Sequence, residues 1–417
     1  MLRYLPLTDK DRGAMLDKIG AASLDDFYKG LPVTAAFDLP LHASEMEVER
    51  HMEAYAARNT AASSGPFFLG AGVYRHHIPA SVDYIIQRSE FLTSYTPYQP
   101  EIAQGTLQVI FEFQSIIAAL TGQEIANASM YDGATSCAEA ALMAMRVTGR
   151  GKVVVGNDLH PHYREVLKTY VGDAIADELS EEAACLIVQS PDFFGTPHAY
   201  EGYRAACDAV GAQLVVVVNE IVSLGLLPAP SLADIVCGEA QSIGIPMSFG
   251  GPHLGFFACR KEYLRQMPGR LCGETRDADG RRSFVLTLST REQHIRREKA
   301  TSNICTNQGL CALAFTVHAA LLGEEGLKTL ARLNHEKACA LADALTQIAG
   351  VSLENGDFFN EFVVTLPRAA GDVAAALEER GIIAGLPLEG NRLLVTATEM
   401  TRDEDIHAFV RALGEIL

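Results

Sequence analysis

The sequence predicts an α/β protein whose core is a doubly wound, mostly parallel β-sheet. Short apolar runs that are rich in valine and isoleucine recur through the middle of the chain, and helical segments separate them. Continuous apolar strands that alternate with helices are typical of a parallel sheet covered on both faces. A helical stretch precedes this region and an α+β stretch follows it. We therefore predict an N-terminal helical arm over residues 1–70, a large α/β domain over 71–322 and a small C-terminal α+β domain over 323–417.

The composition limits the possible classes of function. Hydrophobic residues make up 48% of the 417 residues and charged residues 21%, as in ordinary globular proteins. The longest apolar runs are too short to span a bilayer, and the first residues lack the pattern of a signal peptide. We therefore expect a cytoplasmic protein. The formal net charge of −18 argues against nucleic acids and anionic membranes as partners.

The nine cysteines stand singly along the chain, and no two of them form a CxxC pair. This spacing argues against a zinc ribbon and against a thioredoxin-like motif, so we predict no metal site. We expect the thiols to be buried and reduced, as free cysteines usually are.

The N-terminal arm contains one well-marked helix. Ser44, followed three residues later by Glu47, forms a capping box, and Met52, Tyr55 and Ala56 then recur at helical spacing. Two placements are open for the arm: it packs on a neighbouring subunit, or it packs back on its own domain.

Residues 95–101 form a loop rich in aromatic side chains, which we call the aromatic loop. Its two prolines exclude regular structure. A long helix with broad apolar coverage is predicted directly after it, over residues 102–120. The loop is either a rigid connector or a lip over a small-molecule pocket.

Residues 132–136 precede a helix that we predict over residues 137–147. Free backbone N–H groups at the start of a helix, together with two hydroxyl side chains, can bind an anion. Gly, Ser and Thr also serve simply as helix caps, so a cap without a ligand is the alternative.

The α/β alternation is regular from residue 152 onward. Each predicted strand is short and apolar, and the connections are long enough to hold helices. The predicted strands include residues 152–156, 185–189, 214–218, 235–236 and 256–259, with helices over 160–170 and 199–210.

Residues 248–255 form a glycine-rich loop between two strands, which we call the glycine loop. Glycine allows the backbone to approach a ligand where a Cβ would clash. Such a loop at a strand end of an α/β sheet is a usual place for a ligand. No lysine occurs between Lys168 and Lys261, so the region around this loop has none.

Residues 291–299 are the one dense basic stretch in this acidic chain, and we call them the basic segment. We predict a helix here, in which Glu292 pairs with Arg296. The segment is either a solvated face or a contact for an anion, a carboxylate or another subunit. The rest of the chain is predicted to contain helices over 307–322, 326–348 and 402–416 and strands near 359–365 and 393–396.

Four stretches together resemble the P-protein of the glycine cleavage system, the decarboxylating glycine dehydrogenase. They are residues 95–106, 127–135, 249–255 and 291–306, which are long, specific and spread over most of the chain. The resemblance is to the separate N-terminal half of that protein, called subunit 1 or alpha. It implies the type I pyridoxal-phosphate-enzyme fold, which has a large doubly wound domain, a small C-terminal domain and an N-terminal arm.

The resemblance also implies a reaction. In this family glycine is decarboxylated and its aminomethyl group passes to the lipoyl arm of H-protein, with pyridoxal phosphate as the electron sink. A lysine must hold this cofactor as a Schiff base, and in the C-terminal half of the family it stands shortly before a glycine-rich loop. Here Gln241 lies near that position, and glutamine cannot form a Schiff base. Lys261 lies past the glycine loop, and Lys152 and Lys168 belong to an earlier strand and helix.

We therefore predict a subunit that has the fold without the cofactor lysine. The resemblance implies that subunit 2 (beta) of the P-protein holds pyridoxal phosphate, with none bound covalently in this chain. Lipoylated H-protein and glycine are the other implied partners. The complex is αβ or α2β2, and we expect α2β2 because type I folds are usually built around dimers. The candidates for reaching the partner's active site are Tyr95, Tyr98, Glu101, His253, Arg296 and Arg297. The vestigial anion loop consists of Asp132, Gly133, Ala134, Thr135 and Ser136.

H-proteins of this family are commonly acidic, as this chain is, so long-range attraction does not bring the two together. We therefore predict that H-protein docks on a local patch, for which the basic segment is the dense candidate.

Two other hypotheses stand beside this one. The chain is a free-standing pyridoxal-phosphate enzyme, which requires Lys261 or another lysine in the pocket. Alternatively, it is a non-enzymatic scaffold or regulatory subunit that keeps the fold for assembly.

Overall fold

The computed structural model describes residues 7–31 and 41–417. The chain divides into two compact units, of which the first ends at Thr60 and the second begins at Ala61. Among its described residues the first unit contains two α-helices and one short 3-10 helix (Leu24–Tyr28), and residues 1–6 and 32–40 of the predicted arm lie outside the described residues. The capping box at Ser44 is confirmed: its backbone N–H donates to Glu47 Oε2 at 2.8 Å, and its hydroxyl accepts from Glu47 N at 3.4 Å. The two helices are α1 (Asp9–Ile19) and α2 (Glu45–Ala56).

The second unit is built on a seven-stranded sheet. Its strands are β1 (Ile125–Ala126), β2 (Lys152–Val155), β3 (Ile175–Ala176), β4 (Ala183–Gln189), β5 (Gln213–Val218), β6 (Ile235–Glu239) and β7 (Gly255–Cys259). Their order across the sheet is β1-β7-β6-β5-β4-β2-β3. Strands β2 to β6 run parallel, whereas β7 is antiparallel to both of its neighbours. The predicted mostly parallel α/β sheet is therefore confirmed.

The central strands are apolar on both faces because helices cover both sides of the sheet. Val216 and Val218 of β5 belong to one core cluster, and Val215 and Val217 belong to another. Successive side chains of a strand point to opposite faces, so an unbroken valine run supplies both clusters at once. The helices of this region are α3 (Ala80–Ile86), α4 (Ser89–Leu92), α5 (Gln104–Thr121), α6 (Gly133–Thr148), α7 (Pro161–Val171) and α8 (Glu201–Val210).

A two-stranded hairpin and a small α+β region follow the large sheet. The sequence analysis did not identify the hairpin, because its first strand has a glycine and charged residues after two apolar positions and its second has only three consecutive apolar residues. The strands are β8 (Leu271–Arg276), β9 (Arg282–Thr287), β10 (Ser352–Leu353), β11 (Glu361–Thr365), β12 (Leu386–Pro387) and β13 (Arg392–Thr396), and the helices are α9 (Gln293–Arg296), α10 (Gly309–Thr346), α11 (Ala370–Glu378) and α12 (Asp403–Ile416). Strands β8 and β9 form the hairpin, and the small region contains an antiparallel sheet in the order β10-β11-β13-β12.

Helix α10 contains the break that the sequence indicated between two helices. Gly323 has φ 59° and ψ −172° inside the run, a conformation that favours glycine. By length and composition this one described helix could cross a membrane. Its Ala312, Phe315 and Ala331 nevertheless pack in the same core cluster as the sheet. This packing is that of a core helix.

A buried ion network joins the large sheet to the small region. The His76 side chain is 2% exposed and lies between Glu220, which follows β5, and Glu399, which follows β13. Its Nε2 is 3.1 Å from Glu220 Oε2, and its Nδ1 is 2.9 Å from Glu399 Oε2. Burial alone would lower the pKa of His76, but the two carboxylates outweigh it and raise the pKa to about 10. Burial would raise the pKa of Glu399, but His76 and its other donors lower it to about 2.

We expect His76→Ala to lower the free energy of unfolding by about 3–5 kcal/mol, because it leaves two buried carboxylates without their cation. The neighbouring side chain of His77 is exposed, so His77→Ala is the matched control and should change stability little. Urea unfolding followed by circular dichroism measures both. Equal effects of the two substitutions would contradict this account of the network.

The same network makes stability depend on pH in two directions. The Glu399 contribution is present above its ordinary pKa of 4.5 and is lost as the pH falls toward 2. The His76 contribution is present in full below 6.5 and is lost as the pH rises through about 10. We expect the stability difference between the wild-type chain and His76→Ala to be largest between pH 4.5 and 6.5. A difference that is constant from pH 3 to pH 10 would contradict this.

Candidate functional site

The first cavity lies at the carboxyl ends of the parallel strands, where α/β proteins commonly bind ligands. Its volume is about 300 Å³. It is bounded by the start of α6, the start of α7 and the ends of β5 and β6. The lining residues are Ala71, Gly72, Val73, Asp132, Gly133, Ala134, His160, His162, Tyr163, Asn219, Glu239 and His253.

The predicted anion loop is the first turn of a helix rather than a loop before one. Helix α6 begins at Gly133, not at residue 137, and Asp132 caps it by accepting from Thr135 N at 2.8 Å. The Thr135 and Ser136 hydroxyls donate back to the Asp132 carbonyl oxygen at 3.2 and 2.7 Å. Because both hydroxyls are used within the turn, they are not directed toward an external anion.

A carboxylate of the chain itself lies at this helix terminus. Glu239 ends β6, is 5% exposed, and its Oε2 accepts from Gly133 N at 3.0 Å. Its Oε1 accepts from Gln241 N at 3.0 Å and from Leu254 N at 2.7 Å. Burial raises the pKa of Glu239, although these backbone donors oppose the rise. Glu239 thus uses backbone N–H groups that a phosphate at this terminus would need.

The backbone above the cavity is held in a fixed conformation. Ala71 has φ 53°, its N–H donates to Glu361 Oε1 at 2.6 Å, and its carbonyl oxygen is 2.9 Å from His160 Nε2. Gly72 has φ 95°, and a Cβ there would lie 2.6 Å from Asn219 Nδ2. Burial raises the pKa of Glu361 to about 7. Residues 71–73 therefore close one side of the cavity tightly.

The residues of this cavity do not fit pyridoxal phosphate. None of the described lining residues is a lysine, and the Gln241 side chain is buried and donates from Nε2 to the Ile245 carbonyl oxygen at 2.6 Å. The carboxylates of Asp132 and Glu239 occupy the helix start, where the cofactor's phosphate would need backbone donors and no negative charge. The described lining residues thus offer no lysine for a Schiff base, and two carboxylates lie where the phosphate would bind.

His253 lies in this first cavity, near Glu239. The shortest distance between them joins His253 Nδ1 and Glu239 Oε2, at 3.7 Å, and the His253 side chain is 33% exposed. The glycine loop around it presents Phe249 with a fully exposed side chain. His253 is thus placed at the edge of the cavity, beside the carboxylate that fills the helix terminus.

A second, larger cavity of about 730 Å³ borders the aromatic loop. Tyr95 and Tyr98 line it and are 85% and 57% exposed. Glu101 is exposed at the end of the loop but is not among the described lining residues. The predicted candidates therefore separate into two places, because His253 borders the first cavity and the tyrosines border the second.

A buried cation that the sequence analysis did not identify lies behind the aromatic loop. Arg270 is 2% exposed, and its guanidinium donates to Thr96 Oγ1 at 3.1 Å, to the Tyr98 hydroxyl at 3.2 Å and to Glu292 Oε2 at 3.4 Å. Its partners are far away in the sequence, so no local pattern marks it. Glu239 was also missed, although an acid at the end of a buried strand is a signal that can be sought.

The predicted helix of the basic segment is wrong. The segment is broken into single turns, with α9 only four residues long and Arg297 at φ 53°. Glu292 pairs with Arg270 and lies 3.6 Å from His294, rather than pairing with Arg296. Arg296 and Arg297 are exposed, and the described residues give neither of them an ion pair.

Arg291 of the same segment is buried and has a different environment. Its guanidinium donates to the carbonyl oxygens of Met267 and Gly269, the latter at 3.1 Å. Its described hydrogen bonds are to backbone atoms, so it supports the local fold.

The cysteines and acidic residues give no sign of a metal centre within residues 7–31 and 41–417. Six cysteines are buried as expected, whereas Cys305 is exposed and Cys311 and Cys339 are half-buried. Burial raises the pKa of the Cys185 thiol, which keeps it protonated and unreactive.

Comparisons with known proteins agree along the whole chain. A family model described as "Glycine cleavage system P-protein" matches residues 2–413. A probable glycine dehydrogenase (decarboxylating) subunit 1 from Rhodospirillum centenum is 55% identical, and the match covers 100% of both chains. The protein of the same description from Caulobacter sp. (strain K31) is also 55% identical, over 100% of this chain and 98% of its own.

Solved structures give the same result. The crystal structure of a glycine decarboxylase (P-protein) of the glycine cleavage system, in inhibitor-bound form, matches with a TM-score of 0.91 and 43% identity over 100% of both chains. A sphingosine-1-phosphate lyase from Burkholderia pseudomallei matches with a TM-score of 0.65 and 14% identity, over 92% of this chain and 93% of its own. The second likeness shows the fold alone, and together with the first it confirms the predicted type I fold.

We expect Glu239→Ala to turn the start of α6 into an anion site, because it frees the N–H groups of Gly133, Gln241 and Leu254. The variant should be destabilised by about 1–3 kcal/mol, and millimolar inorganic phosphate should then raise its melting temperature. Differential scanning calorimetry measures both effects. The matched control is Asp234→Ala, which removes a buried carboxylate at the other end of β6. A phosphate effect of equal size in wild type, Glu239→Ala and Asp234→Ala would contradict the prediction.

Proposed function

This chain belongs to the glycine cleavage system P-protein family, and on that premise we propose that it is subunit 1 of a two-subunit glycine decarboxylase. The enzyme converts glycine and lipoylated H-protein into aminomethylated H-protein and carbon dioxide. The full-length match to chains described as subunit 1 carries the proposal. The cavity at the sheet edge supports a two-chain enzyme as well, because none of its described lining residues is a lysine that could hold the cofactor.

Pyridoxal phosphate belongs, in this proposal, to the second subunit. When bound there it supplies the electron sink for decarboxylation. Gln241 has its side-chain amide engaged with the Ile245 carbonyl oxygen, and Glu239 fills the helix terminus, so this chain offers the cofactor neither an anchor nor a phosphate cradle. Both observations support a cofactor-free subunit 1.

The aromatic loop is the part of this chain that we propose to face the second subunit's active site. Tyr95 and Tyr98 are exposed beside a cavity of about 730 Å³, although aromatic side chains of this size are usually covered. Their hydroxyl groups can donate a hydrogen bond to the carboxylate of glycine and orient it. Glu101, at the end of the same loop, is exposed and able to contact the partner.

The basic segment is the surface that we propose for H-protein docking. Arg296 and Arg297 are exposed and unpaired among the described residues, which leaves their charge available in an otherwise acidic chain. We further propose an α2β2 assembly in the cytoplasm, as the resemblance to the family suggests.

A subunit that only supports assembly is the second candidate. The observation that favours it is the first cavity, which Glu239 and Asp132 have made unsuitable for the cofactor. It differs from the main proposal in one respect: in a pure scaffold, no side chain of the aromatic loop affects turnover once the complex has formed.

The proposal predicts that neither subunit is active alone. We expect no aldimine absorbance band when pyridoxal phosphate is added to this chain, and a band together with glycine-dependent carbon dioxide exchange when subunit 2 is added. Borohydride reduction should label a lysine of subunit 2 only. A reduced phosphopyridoxyl-lysine in this chain would contradict the proposal and support a free-standing enzyme.

Charge reversal tests the docking surface. We expect Arg296→Glu with Arg297→Glu to raise the KM for H-protein by about tenfold at low ionic strength, because rim charges act mainly on association. The effect should shrink at high salt. The matched control is Arg281→Glu with Arg332→Glu, two other exposed arginines that change the net charge equally. An equal change in KM for both pairs would show a general charge effect and contradict docking at the basic segment.

A further inference from the structure

Arg270 is placed unusually for a side chain with no assigned role. Its guanidinium is 2% exposed, and burying a charge is costly unless the charge is paired and hydrogen-bonded. Glu292, itself 6% exposed, supplies the opposite charge at 3.4 Å. Two of its other N–H groups donate to two hydroxyl groups of the aromatic loop. The pair is therefore almost fully buried, and its polar contacts reach outward through that loop and through His294, which lies 3.6 Å from Glu292.

The geometry requires an arginine. A guanidinium is a planar fork with five N–H donors, so one group can reach three acceptors that lie in different directions. Here Nε faces Glu292, Nη1 faces Thr96 and Nη2 faces Tyr98. The guanidinium also lies over the Tyr98 ring, at 5.3 Å from its centroid. Both the ring and the hydroxyl of Tyr98 are thus held by one buried cation.

These contacts determine what the Tyr98 hydroxyl can do. It accepts a hydrogen bond from Arg270 Nη2, so its own proton is left free to donate elsewhere. The Tyr98 side chain is 57% exposed and lines the cavity of about 730 Å³. The hydroxyl is therefore held as a donor toward an acceptor that enters this cavity.

We infer that Arg270 is a positioning residue for the decarboxylation, acting through Tyr98. It holds the Tyr98 hydroxyl as a hydrogen-bond donor for a carboxylate, and the carboxylate is that of glycine bound at the second subunit. Arg270 touches no substrate itself. Glu292 keeps the guanidinium in place and connects it to the basic segment, whose His294 ring lies 6.4 Å from the Tyr98 ring. The inference rests on the proposed function, because it requires the aromatic loop to face the partner's active site.

The test is a double-mutant cycle in the assembled two-subunit enzyme. Arg270→Lys keeps the positive charge beside Glu292 but cannot hold Thr96 and Tyr98 together. We expect it to lower kcat/KM for glycine by about 10- to 100-fold, the range expected when a binding group is misplaced by about 1 Å. Tyr98→Phe should cause a loss of similar size. If Arg270 acts through Tyr98, adding Arg270→Lys to Tyr98→Phe should lower kcat/KM for glycine further by less than about threefold.

A second buried arginine provides the matched control. Arg291 donates to the carbonyl oxygens of Met267 and Gly269 near the same turn, so Arg291→Lys should lower stability without any coupling to Tyr98. Arg291→Lys should change kcat/KM for glycine by the same factor in the wild-type and Tyr98→Phe backgrounds. The KM for H-protein should stay within about twofold in Arg270→Lys, because the inference concerns the glycine carboxylate.

The outcomes separate this inference from the proposed function. An inactive wild-type complex would refute the proposed function itself. The wild-type complex could instead be active while Arg270→Lys lowers kcat/KM for glycine by the same factor with and without the Tyr98 hydroxyl. That result would refute the positioning role alone. The positioning role would also be refuted if Arg270→Lys changed the KM for H-protein but left kcat/KM for glycine unchanged. If the Arg270→Lys complex does not assemble, Thr96→Val is the alternative, because it removes one Arg270 contact while the ion pair with Glu292 stays intact. The same double-mutant cycle with Tyr98→Phe then tests the positioning role.

Discussion

The carboxylate of Glu239 ties together three segments that meet at the edge of the sheet. It ends β6, accepts from the first residue of α6 and accepts from Leu254 of the glycine loop. Each of these backbone donors would otherwise be buried without a partner, which costs free energy. A phosphate could satisfy such donors only while it is bound, whereas a side chain does so permanently. The geometry of this edge is therefore independent of any ligand.

This independence is consistent with the proposal that the cofactor is held by the second subunit, because the chain's own contacts keep the cavity in shape. The cavity keeps its walls because Ala71 is held at both its N–H and its carbonyl oxygen, and His76 joins the large sheet to the small region. The same contacts leave no lysine and no phosphate cradle among the described lining residues. On the proposal that this subunit holds no cofactor, its surface residues would contribute to catalysis at a site that the second subunit completes.

The sequence predicted the features that depend on local patterns. The valine run of β5 was recognised because a strand buried on both faces needs apolar residues at every position, and the cap at Ser44 was recognised by its partner three residues away. The predicted start of α6, at residue 137, was too late because Asp132 is the N-cap and the helix begins at Gly133. Gly133 and Thr135, which are typical of loops, therefore lie inside the helix. The basic segment was predicted as one helix, but Glu292 pairs with Arg270 instead of a local arginine. Such long-range pairings leave no periodic trace in a sequence.

The aromatic loop and the basic segment, which looked like separate motifs, are joined by Arg270. The guanidinium holds the aromatic loop through Thr96 and Tyr98, and Glu292 holds the guanidinium from the basic segment. A loop of this kind, with two prolines and exposed aromatic rings, has no ladder of backbone hydrogen bonds to fix it. A buried ion pair supplies the missing rigidity from behind, while the front of the loop stays open to the cavity. Side chains that contact a partner's substrate with a defined geometry need both a rigid support and an open front. A flexible loop would lose conformational entropy each time that binding ordered it.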